Sequence, residues 1–268
     1  QAEAGIRDKL VTGVQTCALP IFWAAPVAAM RAFPIRRMVT FMQNHGMLSM
    51  GTQLIWRVVA GGSDTYIGPM TAPLGDRIRA GAPVISVRRD EGGVEIVLAD
   101  QQRQRFDDVV LACHGDRVLG LLADPTDDER AVFSAFRTTP NDAILHSDER
   151  LLPSSPRARA SWNYRLAADP NGPPSVTYDL NRLQGLACRT QYCVTLNPHT
   201  QIDESRIIRR IQYRHPQFTV DTDRAQAQWD RVSGVNRTHY AGAYWRYGFH
   251  EDGALSAVRV AESLGVPF

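Results

Sequence analysis

The chain has 268 residues, 44% hydrophobic and 22% charged, with a net charge of +2 at neutral pH. That supplies apolar material for one large core or two ordinary ones and places the chain among globular proteins. The nearly balanced charge argues against a nucleic-acid footprint, and no uninterrupted apolar run reaches the length of a membrane span. The four cysteines, Cys17, Cys113, Cys188 and Cys193, are scattered and lack histidines at metal spacing. They read as free thiols of a reducing compartment, Cys188 and Cys193 as packing residues, and a cytoplasmic location is the expectation.

Residues 1–21 read as foreign to the rest. Val11–Ile21 (VTGVQTCALPI) is similar to translated sequencing-adapter read-through and lacks the charged start and clean apolar core of a targeting peptide. Phe22–Met50 is rich in alanine, methionine and aromatics, and Pro26 and Pro34 divide it into short helical pieces. Asn44-His45-Gly46 follows, with His45 readable as a loop histidine behind a core helix. Gly61-Gly62 permits a sharp turn, and Ser63 as cap predicts a helix to about Arg79. A β-meander is predicted over Pro83–Ala112. Its strands are Val84–Val87, Val94–Leu98 and Phe106–Ala112, with turns at Glu91-Gly92-Gly93 and Ala99–Gln104. His114, just after it, reads either as a residue near a bound group or as a surface-loop histidine. A short amphipathic helix is expected over Asp127–Arg137. Strands follow at Asp142–His146, Ser161–Tyr164, Ser175–Leu180 and Tyr192–Leu196, the alternation of an antiparallel sheet. Asn181 and Arg182 either face a pocket or, respectively, cap a turn and point to solvent. Asp203–Tyr213 is predicted helical, and His215-Pro216 turns the chain away.

Thr238–Gly265 carries the most information. Thr238–Gly242 has the composition of a short buried strand, Gly248–Gly253 of a turn, and Ala254 onward has helical spacing, with Leu255, Val258, Ala261 and Leu264 as one apolar stripe. Glu251 and Asp252 stand where a helix start favours acids, and Gly265 follows the last turn. A helix start offers unpaired backbone N–H groups and partial positive charge. Gly253, Ala254, Ser256 and Ala257 keep its first turns slim enough for a flat group to lie close.

Tyr247-Gly248-Phe249-His250-Glu251-Asp252-Gly253, with Trp56–Tyr66 (WRVVAGGSDTY), Tyr178–Gln184 (YDLNRLQ) and Cys193–Pro198 (CVTLNP), resembles the FAD-dependent amine oxidase and phytoene desaturase superfamily. Within it, the string is similar to a bacterial subgroup of predicted NAD/FAD-binding proteins. The resemblance runs from about Phe22 to Phe268 and corresponds to the C-terminal portion of a member. It implies an α/β fold: a partial FAD-binding, Rossmann-like domain interleaved with a substrate domain built on an antiparallel sheet. The implied segments are 1–21 as non-native, 22–75 as substrate-domain helices, 76–122 as the FAD-domain meander, 123–215 as substrate domain, and 216–268 as the FAD-domain C-terminal strand and helix. The implied activity is hydride transfer from a substrate C–H to flavin N5.

By the same resemblance Val84, Ala112, Gly242, Ala243, Glu251, Asp252 and Gly253 fall on cofactor-binding positions. The backbone N–H of Glu251 or Asp252 falls at the flavin C2 carbonyl. His250 falls on an aromatic position that flanks the flavin, which makes it the candidate catalytic residue. The Cys-aromatic pair of covalent flavoproteins has no match, so FAD is expected to be non-covalent. The lysine that many amine oxidases hold near flavin N5 has no counterpart, since Lys9 is the sole lysine, and Ala243 replaces a usual acid. No G-x-G-x-x-G pyrophosphate loop occurs, so the chain reads as a fragment lacking that part of the family pattern. The expected partner is a small molecule, either an amine or an apolar, lipid-like compound; no metal site is expected. The competing reading is a non-catalytic fold remnant or binding module without FAD.

Overall fold

The computed structural model describes residues 33–48, 57, 59–165 and 175–267. The adapter-like segment 1–21 and Trp56 of the WRVVAGGSDTY string lie outside the described residues. Chain contacts define two units, one containing Thr138–Gln217 and the other Pro34–Arg137 with Phe218–Phe268. The second unit is therefore interrupted in sequence by the first. The fold is a mixed α/β one with antiparallel sheets.

The discontinuous unit begins with α1 (Ile35–Asn44). The helix expected over Ser63–Arg79 is instead broken into a 3₁₀ turn (Ser63–Tyr66), α2 (Ile67–Thr71) and another 3₁₀ turn (Gly75–Arg77). Pro69 and Pro73 lack the N–H that a continuous helix needs. Ser63 also makes no capping bond; Gly62 holds the cap position. β1 (Val84–Asp90), β2 (Gly93–Leu98) and β3 (Arg103–Phe106) form an antiparallel meander in that order. The strand expected over Phe106–Ala112 is two strands. Phe106 ends β3 on the meander, whereas β4 (Val109–Leu111) leaves it and pairs in parallel with β10 (Thr238–Tyr240). The chain changes sheets at Asp107-Asp108.

Between these strands run α3 (Val118–Leu121) and α4 (Asp127–Phe133), the latter closed by a capping box between Thr126 and Glu129. Later come α6 (Val220–Gln226), α7 (Trp229–Val232) and, after β10, α8 (His250–Ser263). Val87, Val94, Leu111, Val118, Phe133, Phe136, Trp229, Tyr240, Tyr244 and Val260 form one apolar core. Beside it, Arg89, with 2% side-chain exposure, forks onto Glu129, with 1%. Glu129 also accepts from Tyr240 Oη at 2.5 Å.

The continuous unit is a five-stranded sheet ordered β6-β7-β8-β5-β9. Its strands are β5 (Arg137–His146), β6 (Trp162–Arg165), β7 (Ser175–Asp179), β8 (Cys193–Leu196) and β9 (Ile207–Gln217), with the short helix α5 (Leu180–Gln184) after β7. The helix expected over Asp203–Tyr213 is thus mostly strand. Ile207 and Ile211 stand four apart, as on a helix face, but the segment docks beside β5 as an edge strand whose arginines point outward. Asn181 brackets the loop after α5, accepting from Tyr192 N–H and donating to Thr190 O. Cys193 is buried, but Cys188 is exposed and does not pack.

His146 is fully buried in this sheet, its Nε2 at 2.8 Å from Thr195 Oγ1 and its Nδ1 accepting from Asp148 N–H. Burial holds both His146 and His215 below the ordinary histidine range. A histidine kept neutral in the folded state takes up its proton more readily once unfolded. Its contribution is therefore intact above pH about 6.5 and is lost as pH falls below that value, at up to about 1.4 kcal/mol per pH unit for each proton. Asp148, held well below the usual carboxylate range by Arg150, contributes stability that is lost only at much lower pH. Urea midpoints are expected to fall between pH 7.5 and 5.5, and H146N/H215N is expected to flatten that dependence.

Candidate active site

The segment between β10 and α8 is irregular, so its backbone groups need partners other than a ladder. Gly242 leaves β10 at φ 155 and its N–H donates to Ser256 Oγ at 2.7 Å. Ser256 in turn donates to Gly253 O at 2.7 Å. One hydroxyl thus fastens the strand end to the first turns of the helix. A Cβ built on Gly242 would lie 2.3 Å from the Tyr244 ring, and one on Gly253 would lie 3.8 Å from Ala243 N. Gly242, Ala243 and Gly253 are therefore neighbours. Ala241 N–H donates to Leu111 O, which brings the end of β4, and Ala112 after it, alongside. Val84 lies elsewhere, at the start of β1 on the meander, paired with Leu98.

The helix starts four residues before the expected Ala254, at His250, because Asp252 acts from inside the first turn. Its Oδ2 accepts from Phe249 N–H at 3.0 Å and from Tyr247 N–H at 3.2 Å, and its Oδ1 lies 3.6 Å from Arg246 Nε. Asp252 is buried, so it spends its carboxylate on this turn, while Glu251 and His250 are exposed. The buried residues of α8 are Asp252, Ser256 and Val260. The expected stripe of Leu255, Val258, Ala261 and Leu264 is not the buried one; Leu255 and Leu264 remain 39% and 45% exposed. The Ser256–Gly242 bond turns the small, polar side of the helix toward β10.

Two further side chains hold the carbonyls of the same segment. Gln226 Nε2 donates to Tyr244 O at 2.6 Å and to Arg246 O at 2.7 Å. Arg37, on α1, donates from Nη1 to Arg246 O at 2.7 Å and from Nη2 to Gln226 Oε1. His45 packs near the helix entry: its ring stacks on Phe41 at 3.9 Å and lies 6.0 Å from the ring of Phe249. Sequence reading singled out Asp252 and Ser256 but not as holders of this turn, and it missed Arg37 and Gln226. Their roles depend on partners up to 209 residues away, and only Asp252, three residues beyond the cap position, carried a local signal.

The first-turn N–H groups of His250, Glu251 and Asp252 precede the helix's own ladder, which begins with Gly253 N–H on Phe249 O. Tyr244 Oη and Trp245 Nε1 are buried without a hydrogen-bond partner among the described residues. The first-turn N–H groups, close to Gly242 and Ala243 through the Ser256 bond and the approach of Gly253, fit an acceptor-edged planar group. The sequence has no glycine-rich loop for a pyrophosphate, so the fit is to the ring end of a dinucleotide. Elsewhere, on the five-stranded sheet, a cavity of about 490 Å³ is lined by Asp142, Ile144, Asn197, Arg210 and Gln212. No cluster of metal-ligating side chains occurs among the described residues, and no described helix is long and apolar enough to cross a membrane.

A parallel strand pair feeds a helix through a glycine turn, in a unit interrupted in sequence by an antiparallel sheet. Cyclohexylamine oxidase from Brevibacterium oxydans IH-35A superposes with a TM-score of 0.63 at 11% identity, over 98% of this chain and 68% of that one. A CLA-producing fatty acid isomerase from P. acnes gives 0.53 at 16% identity, over 77% and 53%. Putrescine oxidase bound to putrescine gives 0.52 at 12%, over 76% and 53%. At such identities the likeness is one of fold, and the chain spans about half the length of the last two proteins. No curated protein matches in sequence. The model of the flavin containing amine oxidoreductases matches residues 18–159, more than half of the chain, and the chain belongs to that family.

Proposed function

We propose that these residues serve an FAD-dependent oxidoreductase of amine oxidase or desaturase type, with FAD held non-covalently at the start of α8. The supporting observation is the first turn of that helix, whose N–H groups stand beside Gly242 and Ala243 with the turn fixed by Asp252. Glu251 and Asp252 would offer backbone N–H to the flavin C2 carbonyl edge, with Gly242, Ala243, Gly253 and Ala112 close to the cofactor and Val84 on its adenosine side. When bound, a flavin supplies a two-electron acceptor for hydride from a substrate C–H. The helix start stabilises negative charge at that edge by roughly 0.3–1 kcal/mol where exposed, and more where buried. His250, exposed at the first helical position, is the residue assigned to touch substrate. The substrate is a small amine or an apolar, lipid-like molecule.

The test is titration of the chain with FAD, followed by quenching of flavin fluorescence. Weak but saturable binding is expected, because the sequence lacks a pyrophosphate loop, and G253W is expected to abolish it by filling the space beside Ala243. No binding at millimolar FAD, or binding that G253W leaves unchanged, would overturn the reading in favour of a module without flavin.

A further inference from the structure

We infer that Arg37 is a positioning residue for the candidate cofactor contact. It would act at a distance, by holding the turn that aims the first N–H groups of α8. This rests on the flavin reading only for what the turn presents; the grip itself is a property of the chain. Arg37 is 7% exposed and sits on the inner face of α1, one and two helical turns before Phe41 and His45. Its guanidinium has a partner in each direction. Nε donates to Asp223 Oδ1 at 2.5 Å, Nη2 to Gln226 Oε1 and Nη1 to Arg246 O at 2.7 Å. The plane also lies over Phe218 at 4.7 Å and near Tyr247 at 5.6 Å, so the aromatic residues fix its orientation as well as its charge.

The consequence for the turn is specific. A 3₁₀ turn over Ala243–Trp245 and backbone bonds from Arg246 N–H and Gly248 N–H to Ala243 O shape this segment, and side chains grip it from both sides. From one side Arg37 and Gln226 take the carbonyls of Tyr244 and Arg246. From the other Asp252 takes the N–H groups of Tyr247 and Phe249. Gln226 is itself oriented by Arg37, so removing the guanidinium loosens both carbonyl grips while leaving the Asp252 grip in place. Phe41 continues the same face of α1 to Phe249, the residue just before the helix, at 6.1 Å between rings. An apolar residue at position 37 fills similar volume but has no donor. A lysine keeps the charge and three donors but gathers them on one point-like ammonium, without the planar fork that spans Asp223, Gln226 and Arg246.

The experiment compares amide hydrogen exchange in the wild-type chain, R37M and R37K, with FAD titrations of each. In R37M, amides of 244–253 are expected to exchange at least tenfold faster, while those of β1 and β2 stay within twofold. R37K is expected to recover part of the protection, and FAD affinity to fall at least tenfold in R37M. Unchanged exchange in 244–253, or a uniform rise across β1 and β2 as well, would make Arg37 an ordinary core residue and sink the inference. Local loosening without a loss of FAD affinity would also sink it. If the wild-type chain binds no FAD, the flavin reading fails while the exchange data still decide whether Arg37 holds the turn.

Discussion

Glu129→Ala is expected to destabilise the discontinuous unit by about 3–5 kcal/mol, the scale of breaking a buried ion pair by removing one partner. Glu129 accepts four hydrogen bonds. Arg89 donates at 2.7 and 2.9 Å, Tyr240 Oη at 2.5 Å and Thr126 N–H at 2.8 Å. Burial by itself would raise its pKa, but the bonds from Arg89, Tyr240 and Thr126 outweigh burial and hold it below the usual carboxylate range. Burial acts against charging Arg89 too, and its bonds to the Glu129 carboxylate again outweigh burial and raise it. Arg89 also reaches Asp124 Oδ1 at 3.0 Å and Thr238 Oγ1 at 3.3 Å, so the network joins the meander to α4 and to β10. Removing the carboxylate leaves the buried guanidinium with Asp124 as its remaining charged partner and deletes the Glu129 half of the capping box of α4. The double variant R89M/E129L removes both charges and is expected to be more stable than E129A, since replacing a whole buried pair is often near neutral. Urea denaturation of both variants checks this. A single variant within 1 kcal/mol of wild type, on the scale set by ordinary surface changes, would show that the network is solvated and dispensable.

Gly242→Ala is expected to cost about 1–3 kcal/mol for overpacking and a similar amount for backbone strain. The added Cβ falls 2.3 Å from the Tyr244 ring at a φ of 155. Tyr244 cannot step aside: its ring packs edge-on to Phe136 at 4.8 Å and against Trp245 at 5.1 Å, and it is 8% exposed. The chain would then shift the strand end, breaking the 2.7 Å bond from Gly242 N–H to Ser256. G242A is expected to lower the melting temperature and the FAD affinity together. In Y244A, which opens space for the Cβ, adding G242A is expected to cost only the strain component. Equal costs of G242A in both backgrounds would show that the ring contact is not what fixes glycine here.

Several elements were legible because a local rule determines them. β1, β2 and β10 follow from short apolar runs bounded by glycine turns, and α4 from its run of first-turn acids and helical spacing. The strand-turn-helix at Thr238–Gly265 was legible as a unit for the same reason, and so were the glycines that narrow it. Tertiary partners decided the rest. Ile207–Gln217 carries isoleucines at a spacing that suits a helix face or an edge strand, and pairing beside β5 selects the strand. Phe106–Ala112 reads as one strand in sequence, but Phe106 pairs with Val94 and Val109–Leu111 with Thr238–Tyr240, so the segment serves two sheets. The rotation of α8 was hidden for the same reason. The leucine stripe is the more hydrophobic face, but one hydroxyl, Ser256, bonded to Gly242 turns the other face inward. Arg37 lies furthest from what sequence can show. The chain offers many arginines of equal local character, and only contacts across 186 to 209 residues select this one to be buried and to grip the turn. Local propensity specifies the segments with unambiguous spacing; the state of an ambiguous one such as Ile207–Gln217, and the choice of face, register and buried charge, belong to partners that sequence spacing does not name.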